Sequence, residues 1–151
     1  MKLYRLHKEQ EVKAPLERVF AFFSKPPNLQ QLTPPSMKMQ TLTPDPVQMR
    51  AGAVIDYSVS VGGLPTRWTA YIVDFDPPKR FVDIQLRGPY AYWHHTHSFE
   101  SSGDYTLISD DVLYAMPFGP IGGLAHALFV KRQLESIFTY REKYLNDAVE
   151  W

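Results

Sequence analysis

Three of the chain's five histidines fall inside one short run, Tyr92 to Phe99, which reads YWHHTHSF. Imidazoles gathered in this way can ligate a metal, exchange protons with a substrate, or serve as hydrogen-bonding groups in an otherwise apolar wall. On a strand alternate side chains share a face. Trp93, His95, His97 and Phe99 therefore fall together, and His94, Thr96, Ser98 and Glu100 face the other way. The first set is aromatic at both ends and is assigned to the inner face, which leaves His94 in solvent.

The flanking segments supply partners. In TLISDDVLYAM the same rule sets Ile108, Asp110, Val112 and Tyr114 on one mostly apolar face. Asp110 is thus a candidate partner for His95 or His97, because cross-strand neighbours stand ~4.5–5.5 Å apart at Cβ. In FVDIQLRG, Asp83 and Gln85 share a face with Phe81.

Three chemistries compete for this group. A metal needs three or four convergent ligands. Glu100 lies on the wrong face and His126 falls in a helix, so only two are in view and neither metal nor other cofactor is expected. In the second reading His95 or His97 is a general base oriented by Asp110. No serine or cysteine nucleophile has a recognisable setting, which confines that chemistry to proton transfer, dehydration or ring closure. In the third, His95, His97 and Asp110 are paired polar groups that orient a ligand or complete the core.

The elements that must hold these residues follow from periodicity. Residues 2–13 alternate and stop at Ala14-Pro15, an edge strand ended by proline. PLERVFAFFS carries Val19, Phe20 and Phe23 at helical spacing, and KPPNLQQLTPPS has room for one more brief helix between rigid turns. From Met37 the period is two. Ile55, Tyr57, Val59 and Val61 alternate with polar residues, Gly62-Gly63 turns into TRWTAYIVDF, and three further strands follow. Turns this short make an antiparallel meander. After Pro117, Leu124, Leu128, Leu134, Phe138 and Leu145 mark one face of a helix running to about residue 147 and some 40 Å long at ~1.5 Å per residue. Gly122-Gly123 at its start fits either a flexible lid or close helix–sheet packing. The architecture is α+β, a curved antiparallel sheet against one long helix, with a pocket where the sheet curls away.

Composition removes whole classes of function. The chain of 151 residues suits one domain, spanning 1–151. Sixteen basic residues balance sixteen acidic ones, so nothing draws the chain to nucleic acid. With no cysteine, disulfides, thiolate metal sites and cysteine nucleophiles are excluded and cytoplasm is the expected compartment. MKLYRLHKEQEVKA lacks the apolar core of a signal peptide, and no run approaches the ~18 apolar residues of a membrane span, so stable membrane insertion is not expected. Aromatics reach 14%, which suits the walls of a cavity. Tyr57, Trp68, Trp93 and Phe99 are expected as such walls, joined by Tyr114, Phe118 and Phe129. Asp83, Gln85, His95, His97 and Asp110 are the expected polar contacts.

Three stretches carry a resemblance: APLERVFAFFSKPPNLQQLTPP, DPPKRFVDIQLRGPYAYWHHTHSFE and DDVLYAMPFGPIGGLAHALFVKRQLESIFTYR. Together they resemble the START/SRPBCC superfamily, which holds lipid-transfer and polyketide cyclase/dehydrase-like proteins, and within it a bacterial single-domain subfamily. The resemblance implies a helix-grip fold, seven strands around the C-terminal helix with two short helices after strand 1, enclosing a hydrophobic cavity. The pattern Trp-x-His-x-His-x-Phe falls on Trp93, His95, His97 and Phe99, and Asp-x-Val-x-Tyr on Asp110, Val112 and Tyr114. Members bind lipids, hormones or quinones, while others transform their substrates. The expectation is a cytoplasmic monomer or weak homodimer binding an apolar small molecule. The alternative is a cyclase, dehydratase or isomerase that uses His95, His97 and Asp110.

Overall fold

The computed structural model describes all residues, Met1 to Trp151. Its chain order is β1 (Tyr4–Val12), α1 (Leu16–Phe23), α2 (Pro26–Gln31), β2 (Gln40–Thr41), β3 (Val54–Val61), β4 (Leu64–Asp76), β5 (Arg80–Arg87), β6 (Tyr92–Ser102) and β7 (Tyr105–Ala115). A helical run of 29 residues ends the chain: α3 (Gly119–Ala125), a wide π turn (His126–Val130) and α4 (Lys131–Asp147). No helix is long and apolar enough to cross a membrane.

The sheet has seven antiparallel strands in the order β1-β7-β6-β5-β4-β3-β2. Strands β3 to β7 form the expected meander, with β1 added beside β7 at one edge and the short β2 beside β3 at the other. The Gly62-Gly63 link between β3 and β4 has φ of 58° and 80°, the left-handed pair that a two-residue hairpin turn requires. The sheet curves because the β4–β5 register slips between Thr69 and Ala70 and again between Ile72 and Asp74. Such bulges bend a strand and increase its twist. The segment between α2 and β3 is less regular than period two implies: its only strand is the two-residue β2.

α1 buries Val19, Phe20 and Phe23 against one end of the sheet. Phe99 belongs to that cluster, its ring 5.3 Å from Phe20 and 5.2 Å from Phe23 at the centroids. The long helix packs on the concave face through Leu134, Phe138, Arg141 and Leu145. Leu124 and Leu128, expected on the same stripe, are exposed. The π turn widens the helix between them and α4, and the side buried upstream is the one carrying Gly122 and His126.

Candidate functional site

A cavity of about 220 Å³ lies between the concave sheet and the long helix, and 21 of its 30 lining residues are hydrophobic. Ile55, Tyr57, Ile72 and Trp68 face it from β3 and β4, with Phe138 opposite on α4. Leu29 lines it from α2, and Met39 and Met49 from the irregular segments. Its polar corner is formed by Asp83, His95, His97 and Arg141.

Strand alternation builds that corner. His95 and His97 are buried on the inner face of β6, while His94 is only half-buried on the outer one. Backbone register places Asp83 opposite His95 and Asp110 opposite His97. The hydrogen bonds run along the diagonals instead: His95 Nε2 meets Asp110 Oδ1 at 2.7 Å, and His97 Nε2 meets Asp83 Oδ2 at 2.7 Å. Side chains lean along the strand, so diagonal neighbours are within reach of a long residue. The two imidazoles stack at 3.7 Å, with Phe81 stacked on the far side of His97 at 4.1 Å.

Arg141 closes the corner from α4. Its Nη1 donates to Asp110 Oδ1 at 3.2 Å, and its guanidinium lies 4.9 Å from the centre of the Phe138 ring. Burial pushes the Asp110 carboxyl up, but the Arg141 charge, the His95 hydrogen bond and the nearby His97 imidazole hold it well below the usual carboxylate range. Burial acts in the same way on Asp83, where the His97 hydrogen bond and the neighbouring imidazoles win and the net shift is again downward. The histidines separate. Burial and the charge of His97 lower His95, whereas the two neighbouring carboxylates, Asp110 and the hydrogen-bonded Asp83, overcome burial and raise His97. The arrangement is therefore two carboxylates, one guanidinium, one readily protonated imidazole and one that favours the neutral form.

Residues 5–150 match the family described as polyketide cyclase/dehydrase and lipid transport. The chain belongs to that family. Among solved structures it is similar to a START superfamily protein from Mycobacterium smegmatis, at 17% identity and a TM-score of 0.70 over 93% of this chain and 96% of the other. TTHA0849 from Thermus thermophilus is 20% identical, with a TM-score of 0.67 over 94% and 97% of the two chains. A protein from Arthrobacter aurescens is 14% identical, with a TM-score of 0.72 over 93% and 85%. A comparison with curated protein sequences finds no match. These likenesses establish the START-like helix-grip fold.

In this family member the expected wall residues divide. Tyr57, Trp68, Asp83, Trp93, His95 and His97 line the cavity. Asp110 does not line the cavity; it stands behind His95 and Arg141, which do. Phe99 is on the inner face, but α1 covers it and makes it core. Tyr114 directs its hydroxyl to His126 Nε2 at 2.7 Å and lines a separate groove beside β1. The Gln85 amide is held by both backbone groups of Tyr90, at 2.8 and 3.2 Å, and braces the β5–β6 turn. Phe118 and Phe129 are not walls at all: they are 81% and 69% exposed, Phe118 at the residue that caps the start of α3 and Phe129 within the π turn.

Arg141 is the site residue that the patterns above omit. A signal for it exists in the sequence. The buried positions of α4 run Leu134, Phe138, Arg141, Leu145, so the arginine occupies a stripe position where an apolar residue is the norm. Tyr90 escapes those patterns for another reason. It sits in a turn, where periodicity carries no information, yet its ring packs 4.9 Å from Trp93 and 5.7 Å from Trp68.

Proposed function

We propose that this protein binds a hydrophobic or aromatic small molecule, of lipid, polyketide-like or isoprenoid-like character, between the sheet and the long helix. The observation that carries the reading is the chemistry of the cavity: mostly apolar walls with Asp83, His95, His97 and Arg141 gathered in one corner. Apolar walls provide affinity through burial, and a few fixed polar groups provide orientation. Trp68 and Trp93 meet edge to face at 5.0 Å on the wall, which gives a planar ligand an aromatic surface to lie against.

The experiment is uptake of an environment-sensitive apolar dye, followed by displacement with fatty acids and polycyclic phenols. Saturable one-to-one uptake with quenching of tryptophan emission supports the proposal. Absence of uptake by a folded sample overturns it.

One observation favours a second reading, acid–base catalysis. His95 and His97 face the cavity while Asp110, held by Arg141, bonds His95 from behind. An imidazole oriented by a carboxylate is the arrangement of a general base. This reading expects His95→Gln and His97→Gln to abolish turnover of an identified ligand while leaving its affinity within a few fold. Turnover by both variants at the parent rate excludes it.

A further inference from the structure

The same corner contains a third metal-ligating group that the spacing of the histidines does not reveal. Asp83, His95 and His97 present one ligand atom each, all within 4.8 Å of one another. Asp83 Oδ2 lies 2.7 Å from His97 Nε2 and 4.0 Å from His95 Nδ1. Ligands in a tetrahedron around a metal at ~2.0–2.2 Å stand about 3.3–3.6 Å apart. The first separation opens and the second closes, each by under about 1 Å, and the two imidazole nitrogens draw together from within 4.8 Å, all by side-chain rotation.

We infer that Asp83, His95 and His97 form a binding site for a divalent first-row transition metal, with Asp110 as the carboxylate that orients both imidazoles. The inference stands apart from the identity of the cavity's apolar ligand.

The tautomers support it. His95 has Nε2 on Asp110, so when it donates there its Nδ1 carries a lone pair facing Asp83. His97 Nδ1 is buried with no hydrogen bond, and the atom nearest to a partner for it is Asp110 Oδ1 at 3.4 Å. With its proton on Nδ1, that nitrogen gains an acceptor and Nε2 presents its lone pair to the same point as His95 Nδ1 and Asp83 Oδ2. Metal-bound histidines characteristically donate their second N–H to a carboxylate in this way. Here one carboxylate serves both, and Arg141 balances its charge.

The three ligands come from one side, so the remaining coordination positions face the cavity that all three residues line. Two imidazoles and a carboxylate with open positions suit zinc or iron(II) rather than calcium or magnesium. The charges also constrain what fills an open position. A divalent metal, two carboxylates and one guanidinium leave a net positive charge in a buried corner, so an anionic oxygen is favoured there.

The test uses the full chain, stripped with chelator and titrated with Zn²⁺ by calorimetry. A Co²⁺ titration followed by visible absorption reports nitrogen–oxygen coordination. The expected result is one saturable site per chain, weakened at least ~100-fold by Asp83→Asn or His95→Gln and about 10–100-fold by Asp110→Asn. His94→Gln, on the outer face of the same strand, leaves it unchanged. Because the inner-face variants can unfold, a second measurement needs none of them: Zn²⁺ must shift the ring resonances of His95 and His97 and leave those of His94 and His7 in place. A parent protein that takes up no Zn²⁺, or whose only perturbed rings are His94 and His7, overturns the inference.

Discussion

Arg141→Met tests whether the polar corner is held together by charge. The Arg141 and Asp110 side chains are 7% and 6% exposed, so the substitution strands a carboxylate that water cannot reach. Removing one partner of a buried ion pair costs about 3–5 kcal/mol, and losing the cation above Phe138 adds about 1 kcal/mol. Two features act against that sum. Methionine keeps most of the apolar stem, and Arg141 Nε is buried without a hydrogen bond, so its removal relieves an orphan donor worth about 1–3 kcal/mol. The balance is a destabilisation of about 3 kcal/mol, or about 6–12 °C in Tm for a chain of this length. Thermal unfolding followed by circular dichroism measures it. Adding Asp110→Asn removes the stranded charge, so the double variant should melt above the single one, with a coupling energy near the upper end of the ~0.5–3 kcal/mol range for residues in contact. A Tm loss below about 2 °C for Arg141→Met, or two losses that simply add, refutes the claim that this pair organises the site.

Three further outcomes follow from the geometry. Ala70 is buried on the cavity wall, so Ala70→Phe fills that space; dye affinity should fall at least ~10-fold while Tm changes by no more than the roughly 1–3 kcal/mol of overpacking implies. Gly122→Ala places a Cβ 1.9 Å from the Pro117 carbonyl oxygen, a backbone clash at the helix entry, and unfolding should show a loss of about 1–3 kcal/mol or more. The two buried histidines should titrate on opposite sides of 6.5 by NMR, His97 above and His95 below. The stability signs differ accordingly. The His97 contribution is full below 6.5 and lost as pH rises through its folded value, whereas the His95 contribution is present above 6.5 and lost as pH falls through its own. The destabilisation caused by His97→Gln should therefore shrink as pH rises above 6.5, and that of His95→Gln should shrink as pH falls below 6.5.

What can be read from the chain and what cannot divides along one physical line. Strand alternation depends only on backbone geometry, and it separates His95 and His97 from His94 without any knowledge of the fold. It says which face a residue takes, but not which element covers that face. Phe99 shares its face with the histidines, yet α1 crosses above it and makes it core, while Trp93 at the other end of the same strand borders the cavity. Helical periodicity fails for a related reason. It assumes a constant turn, and a single π turn is enough to send Leu124, Leu128 and Phe129 into solvent. Register places Asp110 beside His97, yet the bonds follow the lean of the side chains to the diagonal partners. The most consequential omission, Arg141, is of another kind. Two inward-facing carboxylates, one on each side of β6, need compensating positive charge, and the only basic groups that β5, β6 and β7 bury are imidazoles. That need predicts a cation from whichever element covers the sheet, and the one arginine set in the apolar stripe of the long helix is where it must come from.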